Sequence, residues 1–280
     1  MFALRCLHGK LYLISLCLFG CLTVAVTGAV WGLEPVSAID DAFAVPSQTG
    51  LVEASYHYPG AEAFIRSYFA AVAWSRPFDI SDLAVTTVHA GTSFGGVGVS
   101  LSYSGSGFDL YGDELEKIGL SYRILHGVSC GVRLTRNAMR IKGFGDASAM
   151  SSDIGVVYRP LESVFLAGSI ENITGAEIGD SHEPLDGRTR FSASWTMTGD
   201  ITFLASISKV RRFDPSVCGG CTVKLFQSMT VGLAGGNEPD HLEFLAAFPF
   251  QSMVFSYRGS YHREFGMSHG FSLSWRAGKE

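Results

Sequence analysis

From Ile65 to the carboxyl terminus, apolar side chains return at every second position, a spacing that fits β-strands and not helices. In Val97-Gly98-Val99-Ser100-Leu101-Ser102-Tyr103 one face is Val, Val, Leu and Tyr, and the other is Gly and Ser. Ile118, Leu120, Tyr122 and Ile124 alternate with Gly119, Ser121 and Arg123. Val128, Cys130, Val132 and Leu134 alternate with Ser129, Gly131, Arg133 and Thr135, and Phe191, Ala193, Trp195 and Met197 with Ser192, Ser194 and Thr196. Each ribbon thus has one greasy face and one small or polar face. The greasy face must meet either a second sheet or lipid.

About fourteen such ribbons follow one another, near 65–75, 82–91, 95–104, 116–126, 128–140, 151–159, 162–171, 188–197, 200–210, 219–226, 228–236, 240–249, 251–262 and 267–276. Tight turns are expected around Thr92, at Gly127, at Pro160-Leu161-Glu162, at Thr198-Gly199-Asp200, at Gln227 and at Phe250-Gln251. Longer polar connections at 105–115, 141–150, 172–187 and 211–218 alternate with them. A soluble sandwich or propeller has no reason to gather its short turns at one end. An outer-membrane barrel has short periplasmic turns and longer outer loops. In hydrocarbon every backbone N–H and C=O must be paired, so a sheet survives there by closing on itself. The expected fold is all-β: a transmembrane antiparallel up-and-down barrel of about fourteen strands with both termini periplasmic. A soluble secreted β-protein is the alternative that the alternation leaves open.

The chain before Ile65 differs. Residues 1–32 read as a signal peptide, with Arg5 and Lys10 ahead of an apolar run from Leu11 to Val26 and small residues at Gly28 and Gly32. That run is nearly long enough to span a bilayer, and Leu18-Phe19-Gly20-Cys21 resembles a lipoprotein cleavage box. Residues 33–64 have weak periodicity and several turn residues; they either hang in the periplasm or, as is expected here, plug the lumen of a barrel formed by 65–280. Fourteen strands enclose more space than side chains alone fill.

Charge and cysteines narrow the possibilities. Without the signal, 19 basic residues face 26 acidic ones, a net of −7, which argues against a nucleic-acid partner. Cys6, Cys17 and Cys21 fall in the signal, leaving Cys130, Cys218 and Cys221, which make no disulfide framework. Cys218-Gly219-Gly220-Cys221 has the spacing of half a zinc site but has no second pair, so a local disulfide or two free thiols in a surface loop is expected, with no metal and no cofactor.

Parity points Arg123, Arg133, Asp153, Arg159, Glu171, Lys224, Glu243 and Arg258 into the lumen. There they either meet the head group of an amphiphile or hold the plug by salt bridges. His262, Ser268 and His269 fall at the last outer loop, and Glu238, Asp240 and His241 at the one before. A nucleophile needs a base and an orienting group in fixed geometry, so no catalytic set is assigned. Gly95-Gly96-Val97-Gly98 is read as strand, not as a phosphate loop, and Asn172-Ile173-Thr174 as the start of a loop.

Several stretches resemble the superfamily of FadL-type fatty acid transporters and PorV/PorQ-type outer-membrane proteins of type IX secretion. Tyr58-Pro59-Gly60-Ala61 stands where that group has an Asn-Pro-Ala-Gly plug turn, and lacks its Asn. EKIGLSYRI at 116–124 and DIGVVYRPLESVFLAGSIENITG at 153–175 resemble its strand and hairpin motifs, while Tyr257, Tyr261, His262, Gly266, Ser268 and His269 match its closing pair. Phe271, Leu273 and Trp275 resemble the terminal signal read by barrel-assembly machinery, and Trp275 suits a membrane interface. The resemblance implies a non-enzymatic protein of the outer membrane. Its partners would be membrane lipid, the assembly machinery, and either hydrophobic small molecules that it transports or secreted proteins that it anchors. A surface enzyme acting on lipid or protein is the other reading.

Overall fold

The computed structural model describes residues 43–47, 50–180, 182–225, 228–237 and 240–277. The proposed signal, its cleavage box, residues 33–42, Gln227 and Glu238 lie outside the described residues.

The strands, in chain order, are β1 (Tyr68–Arg76), β2 (Val85–Phe94), β3 (Val97–Phe108), β4 (Tyr111–Leu125), β5 (Val128–Ile141), β6 (Gly145–Leu161), β7 (Val164–Ile170), β8 (Glu177–Ile178), β9 (Glu183–Pro184), β10 (Arg188–Thr196), β11 (Ile201–Val210), β12 (Ser216–Leu225), β13 (Met229–Asn237), β14 (Asp240–Phe250), β15 (Met253–His262) and β16 (Gly266–Arg276). Fourteen of them form one closed antiparallel barrel in which each strand pairs with its neighbours in sequence, while β8 and β9 make a small ribbon inside the connection from β7 to β10. The seam is the pairing of β1 with β16, Ala70 opposite Trp275 and Val72 opposite Leu273.

The alternation works as the sequence suggests. Leu101, Ile118, Leu134, Phe191, Leu233 and Phe271 are exposed on the outer surface, whereas Ser102, Ser121, Arg133, Ser192 and Ser272 are buried inside. The usual order of a soluble protein is inverted, since the large apolar groups lie outside and the polar ones within. Aromatic groups gather at the end where β1 begins and β16 stops: Tyr68, Phe94, Tyr122, Trp195, Phe250 and Trp275.

Three local expectations are corrected. The turn between β2 and β3 lies at Gly95-Gly96, both at positive φ, and not at Thr92, which pairs with Val99 inside the ladder. A tight hairpin needs those φ values, and two consecutive glycines supply them without strain. The stretches 105–115 and 141–150 are mostly strand: β3 and β4 meet at Asp109-Leu110, and β5 and β6 at 142–144. Outward residues here are Glu114, Glu116, Arg136 and Arg140, so the apolar signal fades although the ladder continues. β3 to β6 therefore rise as a polar lip above the rest of that rim.

Cys218 and Cys221 lie in β12, not in a loop, with Cys218 buried inside and Cys221 on the opposite face. Three residues of strand separate their Cα atoms by about 10 Å, beyond the reach of a disulfide. Reducing and non-reducing gels of the folded protein should show one mobility. A thiol-dependent shift together with loss of both free thiols would contradict the strand.

Candidate functional site: the lumen and its inner segment

Residues 43–47 and 50–65 run inside the barrel from one wall to the other. Phe43 and Val45 pack on Leu204, Cys218 and Ala234, next to Leu245, and the Ser194 hydroxyl donates to the Pro46 carbonyl at 2.5 Å. A single helical turn, α1 (Leu51–Ser55), follows, then a 3₁₀ turn at Ala61–Phe64. Leu51, Val52, Tyr58, Ala61 and Ile65 form an apolar core with Phe69, Val157 and Phe165. Weak periodicity was the sequence sign of this segment, because it packs against walls on several sides.

Tyr58-Pro59-Gly60-Ala61 makes the tightest contact. Gly60 takes φ 117°, a conformation that disfavours any side chain. The turn lies on the cross-strand pair Gly131 and Gly155, where a Cβ on Gly131 would stand 2.5 Å from the Gly60 nitrogen and one on Gly155 2.9 Å from Pro59 Cδ. The Ser129 hydroxyl donates to the Gly60 carbonyl at 2.7 Å. The wall has no side chains there because the segment's backbone occupies their place.

Charges fix the same stretch. Glu62 and Arg133 are an ion pair at 3.5 Å, each side chain 1% exposed. Glu62 also accepts from the Ser100 hydroxyl and the Gly60 amide, both at 2.9 Å. Arg133 donates to the carbonyls of Tyr56 and Ser55, both at 2.6 Å. Burying an ion pair is costly unless its remaining donors and acceptors are satisfied, and these largely are. Arg123 donates to the Ala63 carbonyl and lies 4.9 Å from the Phe64 ring centroid.

A second buried chain links α1 to β2 and β3. The Ser55 hydroxyl donates to the Val52 carbonyl at 2.8 Å and lies 2.7 Å from His89 Nε2, while His89 Nδ1 lies 2.7 Å from the Ser102 hydroxyl. With its proton already committed, Ser55 accepts from Nε2, so Nδ1 accepts from Ser102. Serine and histidine at this distance evoke a catalytic pair, yet Ser55 and His89 are both fully buried.

Between α1 and the rim of the longer connections lies a cavity of about 490 Å³. Tyr56 and His57 line its inner end, and Phe78, Leu83, Val85 and Val210 supply apolar wall. Lys117, Arg188 and Arg190 supply positive charge, and Asp82, Asp113, Glu171 and Asp186 negative. The Lys117 ammonium sits 4.0 Å from the Tyr56 ring centroid, a favourable cation–π position. Glu171, one residue past β7, lies 3.9 Å from Arg190. Burial opposes its ionisation, but Arg190, Lys117, Arg188 and His57 outweigh that and hold the carboxyl at about 2. At neutral pH Glu171 is therefore a carboxylate facing Arg190, in a cavity wall that carries charges of both signs.

The eight parity-assigned charges are thereby located. Arg123 and Arg133 hold the inner segment. Asp153 accepts from Thr135 and from the Asn172 amide, both at 2.9 Å, and so ties the wall to the β7–β10 connection. Arg159 stacks on Phe165 at 5.1 Å, Glu171 lines the cavity, and Glu243 pairs with His241 at 3.1 Å. Arg258 shares the inner face with Leu245 and Gly270, and Lys224 lies on it opposite Thr230. Sequence reasoning missed Glu62, His89, Lys117 and Arg190. Inner-face parity in β2, β4 and β10 marks the last three, whereas Glu62 sits in a segment without any period.

The histidines and Ser268 do not form one set. Ser268 and His269 lie in β16 rather than in a loop, Ser268 facing in and His269 facing out, where its Nδ1 lies 2.8 Å from the Tyr257 hydroxyl. His262 ends β15 facing in, opposite His241. Among the described residues no group of three or more histidine, cysteine or carboxylate side chains is placed to hold a metal.

No family model and no curated protein matches the sequence. Solved structures do. The toluene transporter TbuX of Ralstonia pickettii superposes with a TM-score of 0.62 at 8% identity, over 88% of this chain and 100% of that one. TodX, the toluene transporter of Pseudomonas putida, gives 0.60 at 10% identity over 88% and 98%, and a Pseudomonas aeruginosa FadL homologue 0.54 at 12% identity over 80% and 93%. At such low identity the likeness establishes the fold, and the fold is that of a FadL-type barrel.

Proposed function

We propose that this chain is an outer-membrane channel that passes a small hydrophobic or amphiphilic solute without chemistry, with both chain termini on the periplasmic side. The carrying observation is the cavity beneath the rim, apolar on Phe78, Leu83, Val85 and Val210 and lined by charges of both signs, Lys117, Arg188 and Arg190 beside Asp82, Asp113, Glu171 and Asp186. Apolar wall beside a cluster of polar and charged groups suits a molecule with a greasy body and a polar end. The exposed outward leucines, isoleucines and phenylalanines require an apolar solvent, and a closed barrel meets that requirement without unpaired backbone. The shared fold with toluene transporters supports the same reading.

The test is accumulation in vesicles faced with lipopolysaccharide and enclosing cyclodextrin as acceptor. Toluene or decanoate should enter several-fold faster with the barrel than without it. Equal rates for both solutes, with a heat-modifiable and therefore folded barrel present, would overturn the reading.

A further inference from the structure

Resting on the transport reading above, we propose that Phe78 is a selectivity gate at the cavity mouth, whose ring sets the width of solute that passes. The β1–β2 connection does not stand out from the rim. It turns inward at Pro77–Asp79, and the Phe78 amide donates to the inward hydroxyl of Ser268 at 2.9 Å. The Phe78 ring then lies 4.8 Å from that of Phe265 and 5.9 Å, edge-on, from that of His262. His262 is itself oriented, because its Nδ1 accepts from the amides of Glu264 and Phe265 at 3.1 and 3.2 Å. β16, the β15–β16 turn and the end of β15 thus hold one ring in one place, and that ring lines the cavity with Leu83 and Val85.

The backbone adds an independent sign. Phe78 and Asp79 stand at φ 54° and 58°, a region that bulky residues rarely occupy. Glycine would adopt this conformation without strain, so the strained phenylalanine indicates that its side chain is what the position requires. Asp79 is tied back to Arg76 by an ion pair. A ring clamped across a mouth discriminates by width: a single flat ring slides past it, whereas a broad fused system needs it to move. A phenylalanine that merely sealed an apolar cluster would affect stability and leave selectivity unchanged.

The experiment compares entry of toluene and of pyrene, which has four fused rings, into the vesicles described above. Phe78→Ala should raise the pyrene-to-toluene rate ratio about tenfold, equivalent to about 1.4 kcal/mol of barrier. Ser268→Ala, which frees the amide and keeps the ring, should raise it in the same direction by less. An unchanged ratio in both variants, with heat-modifiable mobility retained, overturns the gate and leaves the channel standing. Should Phe78→Ala not fold, the Ser268→Ala ratio alone decides. Wild-type barrels that carry neither probe faster than protein-free vesicles would overturn the transport reading itself.

Discussion

Glu62→Ala should destabilise the folded barrel by about 3–5 kcal/mol, because it leaves the Arg133 guanidinium buried without its counter-ion. Arg133→Ala should cost as much, since it strands Glu62 and frees the carbonyls of Ser55 and Tyr56 together. The double variant Glu62→Leu with Arg133→Met removes both charges and fills the space, so it should be more stable than either single change. Urea titration of the barrel refolded in lipid, followed by tryptophan fluorescence, gives the midpoints. If the double variant were no better than the worse single one, the pair would not be an electrostatic unit. Limited proteolysis between residues 43 and 67 should show the loss concentrated in the inner segment.

The second large effect comes from the glycine pair. Valine at Gly131 or Gly155 suits a strand better than glycine does, so the wall itself should assemble. Its side chain would occupy the space of Pro59 and Gly60, and overpacking of that kind costs about 1–3 kcal/mol even where the surroundings adjust. The segment's turn should leave the wall, and ion conductance in planar bilayers should rise by roughly tenfold, given the width that fourteen strands enclose. Gly235→Val is the control, since its Cβ would point outward with 3.4 Å to the nearest atom, and it should conduct like wild type. Equal conductance in Gly131→Val and wild type would show that the turn does not obstruct the lumen.

These two effects mark where the sequence is legible and where it is not. Period-two alternation reports which way a side chain points, so the strands, the closed barrel and the inward direction of Arg133, Asp153 and Glu171 follow from it. Alternation carries no information about what an inward side chain meets. Arg133 finds Glu62 and two carbonyls some seventy residues away in the fold's interior. The lip of β3 to β6 escaped for a different reason: hydrogen bonding continues there while the apolar face stops, and pattern reading follows the face. Thr92 lacks the conformational freedom that Gly95 and Gly96 bring to the turn. The cavity draws its walls from at least five separated stretches, and its mix of apolar and charged lining is an outcome of closure, not of any local motif.

Closure also governs how such a wall can come into being. β1 has its second partner in β16, nearly the whole chain later, so every incomplete wall presents two unpaired backbone edges. In water those edges are merely exposed; in hydrocarbon each unpaired N–H and C=O costs several kcal/mol. Loss of the last strand therefore does not leave a slightly narrower cylinder. It leaves an open ribbon with no tolerable place in a bilayer, so the terminal residues 266–276 decide between insertion and aggregation for all the strands that precede them.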